Sequence, residues 1–133
     1  MCGLVGILHL YKNHKVDEQV LLSMNNSIMH RGPDGSGVYI NGEIGLGHRR
    51  LSIIDLSENG SQPFYSVDKR YVIVFNGEIF NYLELRKDLE NQGEKFYTHS
   101  DTEILLRLFI VYGKSCLDKL NGMFAFQKIQ ISC

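Results

Sequence analysis

The sequence has 133 residues, of which 44% are hydrophobic and 22% are charged, and its formal net charge is −1 at pH 7. These values predict one soluble globular domain with a substantial core, and they provide no electrostatic basis for binding nucleic acid or a membrane surface. No apolar run approaches the roughly 20 residues that span a bilayer. Three sparse cysteines without a CxxC pair indicate a reducing, cytoplasmic setting instead of a disulfide framework.

The first third of the chain predicts a strand, a helix and a shaped loop. Residues 3–10 form an apolar, glycine-punctuated run, which is typical of a buried strand. Residues 16–29 predict a helix with Asp17 as its N-cap, and the helical spacing places four apolar residues on its buried face: Val20, Leu21, Met24 and Ile28. Three glycines and a proline within residues 30–37 cannot continue that helix, so this stretch is predicted to be a loop.

The next segment predicts further strands. Asn41-Gly42 lies between two apolar runs, and this dipeptide is a strong signal for a β-hairpin. Residues 51–56 predict a third strand, and residues 57–65 a polar loop. Residues 71–75 (YVIVF) are β-branched and aromatic, which predicts a buried strand.

The last third predicts two helices and a final strand. Asn81 with Glu84, and Ser100 with Glu103, have the spacing of capping boxes that begin helices. Gly93 and Gly113 are placed to end those helices, and Asn121-Gly122 is predicted to turn the chain into a short strand at residues 123–126, in the sheet that carries Cys2. The chain stops at residue 133, soon after this strand begins, so the segment is expected to be interrupted.

Cys2 is a candidate nucleophile. Removal of Met1 would leave a free α-amine beside the thiol, so that one residue carries both a nucleophile and its general base. Gly3 allows a substrate or backbone to approach the sulfur closely. The alternative is an ordinary small residue at the start of a strand.

Five other residues carry polar groups that suit an amino-acid substrate. The planar guanidinium of Arg50 can hold a carboxylate with two hydrogen bonds, although it is equally compatible with a solvated surface. Asn76 and Gly77, predicted at a strand-to-helix turn, can direct two donors at an oxyanion, or can simply form the turn. Glu78 and Asp101 can hold an ammonium group, or can only complement helix dipoles. Together with Cys2, this set meets the requirements for hydrolysing the side-chain amide of a free amino acid.

The order of several short motifs resembles the glutaminase domain of class II glutamine amidotransferases, in particular the asparagine synthetase branch. The matching stretches run from residue 1 to about residue 126: MCG with Gly6, HRGPDGSG at 30–37, GHRRLSIIDLS at 47–57, QP at 62–63, FNGEIFNYLELR at 75–86, SDTEILL at 100–106 and LNGMFAF at 120–126. The resemblance implies an α+β fold, the N-terminal nucleophile hydrolase αββα sandwich of two antiparallel sheets. It also implies hydrolysis of L-glutamine to glutamate and ammonia through a γ-glutamyl thioester.

The resemblance assigns roles to the candidate residues. Cys2 corresponds to the nucleophile, and Asn76 with the Gly77 N–H to the oxyanion hole. Arg50 corresponds to the residue that grips the substrate α-carboxylate, and Glu78 and Asp101 to those that bind its α-amino group. The residues expected to line the carboxylate side of the pocket are Leu51, Ser52, Ile53 and Ile54. The loop at 30–34 shapes the pocket without an assigned role.

Two departures from the family pattern limit what the resemblance implies. Residues 127–133 form a divergent tail after a domain at 1–126, so the sandwich is expected to be C-terminally incomplete. The synthetase domain is absent, and with it the site for ATP and magnesium, so no cofactor or metal is expected in this chain. A complete relative would use the ammonia to amidate aspartate, although amidation of another acceptor is also open.

Two alternative functions remain: a catalytically impaired fragment, or a glutamine-binding regulatory subunit. Besides L-glutamine, the expected partners are a synthetase domain or subunit, with a homodimer through the open sheet edge as a further alternative.

Overall fold

A computed structural model describes residues 2–11, 13–52 and 60–131, which form two three-stranded antiparallel sheets enclosed by helices. Helix α1 packs on the outer face of the first sheet, and helix α3 on the outer face of the second, with α2 beside it. The strands are β1 Gly3–Leu8, β2 Gly35–Asn41, β3 Ile44–Arg50, β4 Phe64–Tyr65, β5 Tyr71–Ile79 and β6 Gly122–Gln130. The helices are α1 Glu18–Ser27, α2 Tyr82–Asn91 and α3 Asp101–Tyr112, with short 3₁₀ segments at Met29–Arg31 and Gly113–Lys119. Within this described part, no helix has the length and apolar character needed to cross a bilayer.

The first sheet has the strand order β1-β3-β2. The predicted hairpin is confirmed: β2 and β3 pair up to Asn41 and Ile44, and Gly42 takes the left-handed φ of 57° that the turn requires. Helix α1 approaches β3 closely because β3 has glycines at positions 45 and 47, where a Cβ atom would lie only 3.0 Å from Leu21 and 3.1 Å from Asn25 respectively. Sequence and packing therefore agree on how this layer forms.

Helix α1 begins as predicted but buries a different face. The Asp17 carboxylate accepts hydrogen bonds from the Gln19 and Val20 N–H groups at 2.8 and 3.3 Å, which confirms the N-cap. The prediction that Val20 is buried is wrong, since its side chain is 50% exposed. Leu21 and Asn25 are the fully buried residues of the helix, because the glycines of β3 lie beneath them.

Three boundaries in the first half differ from prediction. Strand β1 ends at Leu8 instead of residue 10, and its last residue is exposed. Strand β2 already begins at Gly35, because Gly35 and Ser36 pair with Arg50 and Arg49 of β3. Strand β3 continues through Arg50, whereas Leu51 and Ser52, predicted to begin a third strand, lie outside any strand. The remainder of that predicted strand lies outside the described residues.

The second sheet has the order β4-β5-β6, and its central strand alternates between two apolar layers. Ile73 and Phe75 face α3 and belong to the larger core, whereas Val72 and Val74 face the first sheet and pack near Leu46. The four layers therefore lie in the predicted order: helix, sheet, sheet, helices.

The ends of β5 and β6 were predicted incorrectly. Strand β5 continues to Ile79, so Asn76-Gly77 lies within a strand and not at a strand-to-helix turn. The reason is that β6 is nine residues long and pairs with β5 throughout, with Asn76 opposite Ala125 and Gly77 opposite Phe124. Strand β6 thus joins the sheet of β5, and the prediction that it joins the sheet headed by Cys2 is wrong. It also includes Gln127–Gln130, part of the expected divergent tail.

The two predicted capping boxes have different outcomes. The Ser100 hydroxyl accepts a hydrogen bond from the Glu103 N–H at 3.3 Å, as a cap should, but the Glu103 carboxylate binds the N–H groups of Tyr97 and Thr98. Asn81 precedes α2 without a side-chain cap, because its amide instead binds the backbone near Lys119 and Asn121. Gly113 ends α3 with φ of 60°, as predicted.

Candidate functional site

A cleft of about 140 Å³ lies where β1 begins, β3 ends and β5 passes beneath the first turn of α3. Both sheets contribute to it, because residues 2–52 form one wall and residues 60–123 the other. The lining residues are Cys2, Arg50, Leu51, Ser52, Gly60, Gln62, Phe75, Gly77, Glu78, Ser100, Asp101, Thr102 and Met123. The structure therefore brings seven of the predicted site residues to one place from positions a hundred residues apart.

Cys2 is half-buried at the head of β1 and is held from two directions. The Leu51 N–H lies 3.3 Å from its sulfur, which places a hydrogen-bond donor on the thiol. The Arg31 guanidinium donates to the Cys2 carbonyl at 3.2 Å. The sulfur is thus fixed on the cleft wall beside the segment that follows Arg50.

A tight backbone contact holds the Arg50 segment in place. The Asp34 carboxylate accepts a hydrogen bond from the Ser52 N–H at 2.8 Å, and the Asp34 N–H donates to the Arg50 carbonyl at 3.0 Å. Gly32 lies directly against the backbone of Arg49 and Arg50, where a Cβ atom would collide. The loop at 30–34, which had no assigned role, therefore positions the chain that carries the guanidinium.

Strand β5 directs a row of N–H groups toward the cleft. The Phe75 N–H donates to the Gln62 side-chain oxygen at 2.6 Å, and the Ile79 N–H donates to the Asp101 carboxylate at 3.3 Å. Alternate residues of a strand direct their N–H groups to the same side, so the Gly77 N–H points between these two occupied positions. Gly77 has φ of 155°, and a Cβ atom there would collide with β6. Position 77 therefore presents a backbone donor to the cleft, and only glycine fits there.

Two carboxylates lie together on the opposite side of the cleft. Asp101 is 6% exposed, and burial raises its pKa; the nearby Glu78 carboxylate raises it further, whereas N–H groups of Ile79, Thr102 and Asp101 itself act in the opposite direction. Glu78 is exposed at the cleft rim. A pair of acids of this kind attracts a cationic group of a ligand.

His48 connects the two sheets directly beneath the cleft. Its Nε2 lies 3.0 Å from the Phe75 carbonyl, and its side chain is 1% exposed. Burial lowers the pKa of His48, the Phe75 carbonyl raises it and the Arg50 charge lowers it, and together these effects give a pKa of about 4. The imidazole is therefore neutral at pH 7, with its proton on Nε2 as donor to that carbonyl. The N–H and the C=O of Phe75 are thus each held by a side chain.

Asn76 does not line the cleft. Its position in β5 places its side chain on the face toward the first sheet, and its Oδ1 is buried without a hydrogen-bond partner among the described residues. Ile53 and Ile54, the other two predicted site residues, lie outside the described residues. The described residues also contain no cluster of three or more histidine, cysteine or acidic side chains suited to a metal ion.

A larger cleft of about 310 Å³ lies elsewhere, between β4 and the side of α3. Its buried acid, Glu103, already accepts hydrogen bonds from the Tyr97 and Thr98 N–H groups and the Thr98 hydroxyl. None of the predicted site residues lines this cleft, so the chemistry is concentrated in the smaller one.

Sequence reasoning missed three residues that shape the smaller cleft, Gln62, Thr102 and His48, and it assigned no specific role to Asp34 in the loop predicted to shape the pocket. All four contact or support the walls of the cleft. Each lies inside one of the matching motifs, which was the available signal. Their roles depend on contacts between the two sheets, or between a loop and a strand, that spacing along the chain does not show.

Comparison with known proteins agrees with this arrangement. The glutamine amidotransferase domain model matches residues 1–130. The chain is similar to asparagine synthetase [glutamine-hydrolyzing] 1 of Bacillus subtilis, with 48% identity over 128 residues that cover 95% of this chain and 20% of that protein. It is also similar to the putative asparagine synthetase [glutamine-hydrolyzing] 2 of Methanocaldococcus jannaschii, with 42% identity over 144 residues that cover 95% and 27% respectively. The chain thus spans about a fifth to a quarter of the length of these relatives.

Solved structures support the fold. Glutamine phosphoribosylpyrophosphate amidotransferase from B. subtilis, complexed with ADP and GMP, has a TM-score of 0.77 and 25% identity, over 96% of this chain and 35% of that one. An allosteric regulatory enzyme of purine biosynthesis has a TM-score of 0.75 at 22% identity, over 97% and 35%, which supports the fold alone. The predicted N-terminal nucleophile hydrolase sandwich is therefore confirmed.

Proposed function

This chain belongs to the glutamine amidotransferase domain family, and we propose that its smaller cleft hydrolyses L-glutamine to glutamate and ammonia with Cys2 as the nucleophile. The family membership favours this glutaminase interpretation over the glutamine-binding regulatory one. The cleft contains a thiol, a guanidinium, a backbone N–H donor directed into the cavity and two carboxylates. Each group meets one requirement of a bound glutamine molecule.

The proposed reaction has two steps. After removal of Met1, the α-amine of Cys2 takes the thiol proton, and the sulfur attacks the glutamine side-chain carbonyl. The tetrahedral oxyanion collapses, the nitrogen leaves as ammonia with the proton from the amine, and a γ-glutamyl thioester remains. A water molecule, deprotonated by the same amine, then attacks the thioester, which releases glutamate and restores the thiol.

The row of N–H groups on β5 is the observation that carries this proposal. An oxyanion forms only in the tetrahedral intermediate, so a preorganised donor directed at that point stabilises the transition state more than the substrate. Gly77 provides such a donor between two occupied neighbours. We also propose the Asn76 amide as the second donor, as the resemblance implies, which requires its side chain to turn into the cleft from the face of β5 toward the first sheet.

The charged groups fix the orientation of the substrate. Arg50 is proposed to bind the α-carboxylate, with Leu51, Ser52, Ile53 and Ile54 along that side. Asp101 and Glu78 are proposed to bind the α-ammonium group from the opposite side. This polarity would direct the substrate side chain toward Cys2 and Gly77.

The fate of the ammonia follows the relatives. We propose that a synthetase domain or subunit uses it to amidate aspartate, and that ATP and magnesium bind there and not to this chain. The small number of cysteines and the lack of a CxxC pair support a cytoplasmic location. Strand β6 forms one edge of the described second sheet, and we propose this edge as the contact for a homodimer or for a synthetase partner.

The test compares cysteine variants of the protein. Cys2→Ala is expected to abolish glutamine hydrolysis, measured as glutamate release, whereas the matched control Cys116→Ala, at a buried position far from the cleft, should retain it. Intact-mass analysis of the active protein should show a chain that begins at Cys2. Full activity of Cys2→Ala, or of a chain that retains Met1, would overturn the proposal. Glutamine binding without turnover in the wild type would favour the regulatory alternative.

A further inference from the structure

The side chain of Gln62 connects two parts of the cleft that have separate tasks in the proposed reaction. Its Oε1 accepts the Phe75 N–H at 2.6 Å, and its Nε2 donates to the Thr102 hydroxyl at 3.2 Å. Because a backbone N–H is always a donor, the oxygen of the amide must face Phe75, which fixes the orientation of the side chain. One amide therefore joins strand β5 to the first turn of α3.

The register of the second sheet explains why this amide is needed. Strand β4 pairs Phe64 with Ile73 and Tyr65 with Val72, and it supplies no further backbone partner toward the cleft. The next N–H on this side of β5 belongs to Phe75, which is buried. The Gln62 side chain occupies the position that another residue of β4 would take, and so satisfies a buried donor.

The two ends of this contact are adjacent to the proposed substrate groups. Phe75 is two residues before Gly77, so its N–H lies next in the same row as the proposed oxyanion donor. Thr102 follows Asp101, whose carboxylate binds the Ile79 N–H at the far end of that row. The strand is therefore attached to the α3 turn on both sides of Gly77, once through Gln62 and once through Asp101.

We propose that Gln62 is a positioning residue that holds the Gly77 N–H at the correct place relative to the helix turn carrying Asp101. This inference rests on the proposed glutaminase function. Gln62 takes no part in bond making. It keeps the oxyanion donor and the ammonium-binding acid at a fixed separation, so that the substrate can use both at once.

The test uses three variants and a double-mutant cycle. Gln62→Met removes both hydrogen bonds of the amide and keeps a side chain of similar shape. Thr102→Val removes only the hydrogen bond between Gln62 and α3. Gln92→Met is the matched control, at a glutamine that binds Tyr112 far from the cleft. Gln62→Met is expected to lower kcat for glutamine about tenfold to a hundredfold. Glutamate, which needs no oxyanion donor, should bind with little change. Thr102→Val should have a smaller effect, and no further effect in the Gln62→Met background.

A second measurement does not depend on turnover. Amide hydrogen exchange at Phe75 should accelerate about tenfold or more in Gln62→Met and stay at the wild-type rate in Gln92→Met. Unchanged kcat and unchanged exchange in Gln62→Met would overturn the inference, as would additive effects of Gln62→Met and Thr102→Val. If the wild type fails to hydrolyse glutamine, the proposed function fails, and the exchange data still decide whether Gln62 holds the strand.

Discussion

Acid should destabilise this fold through His48. The imidazole is 1% exposed and its pKa is about 4, compared with an ordinary value of 6.5. Between these two values the unfolded chain binds a proton that the folded chain does not bind. The free energy of unfolding must therefore fall as the pH decreases from 6.5 toward 4, and the full stabilisation is present only above pH 6.5.

The size of the effect follows from the two pKa values. The full loss is ~3 kcal/mol, because each tenfold change in proton affinity corresponds to about 1.4 kcal/mol. At pH 5.5 the loss is already about 1.4 kcal/mol, a substantial part of the 5–15 kcal/mol that stabilises a typical domain. Asp101 acts in the opposite direction, because its raised pKa makes the folded state bind protons more readily at acidic pH.

Urea unfolding between pH 4 and 7.5 measures the effect in the wild type and in His48→Gln. The glutamine side chain offers a donor to the Phe75 carbonyl but does not titrate, and Asp101 is common to both proteins. The stability advantage of the wild type at pH 7 should shrink by ~3 kcal/mol by pH 4. His99→Gln, the same substitution at an exposed histidine, should follow the wild-type curve.

Parallel curves for the wild type and His48→Gln would refute this reasoning. They would mean that the folded state binds a proton on His48 as readily as the unfolded state. Imidazole resonances that titrate near pH 6.5 at this residue would lead to the same conclusion.

Three further predictions concern charge. Arg50→Lys should raise the KM for glutamine about tenfold to a hundredfold, since an ammonium group cannot reproduce the two parallel hydrogen bonds of a guanidinium; steady-state kinetics with an unchanged KM would contradict it. In the wild type, KM should rise as the pH falls through the raised pKa of Asp101, because the protonated acid no longer attracts the substrate ammonium group. Asp101→Asn should have a high KM that no longer changes over that range, and a persisting slope would exclude this acid. Glu103→Gln places an amide NH₂ group against the Thr98 donors and should lower the free energy of unfolding by about 1.5–3 kcal/mol, whereas urea unfolding of the exposed control Glu84→Gln should show no comparable loss.

Features set by local chemistry were predictable from the sequence. The Asn41-Gly42 hairpin, the Asp17 and Ser100 caps and the glycine end of α3 each depend on a few neighbouring residues. Six candidate site residues were identified from their chemistry, but only the resemblance to a family placed them in one site. Spacing alone could not bring position 2 beside position 101.

Features set by contacts between distant segments were not predictable. Strand β5 continues through Gly77 because β6 pairs with it from more than 40 residues away. The buried face of α1 depends on the glycines of β3. The roles of Gln62 and His48 depend on which backbone groups of β5 lack a strand partner, and this is known only when the register of β4 is known.

Each sheet of the sandwich is continuous in sequence, and this has a consequence for biosynthesis. Among the described residues, 3–50 contain the strands of the first sheet, and 64–130 contain the strands of the second. On a ribosome the thiol-bearing layer emerges and can pair its strands while the opposite wall of the cleft is still being translated. The wall that carries Cys2 is thus made before the wall that carries Asp101, so the proposed nucleophile exists before its proposed neighbours across the cleft. The cleft can be complete only after both sheets have been made.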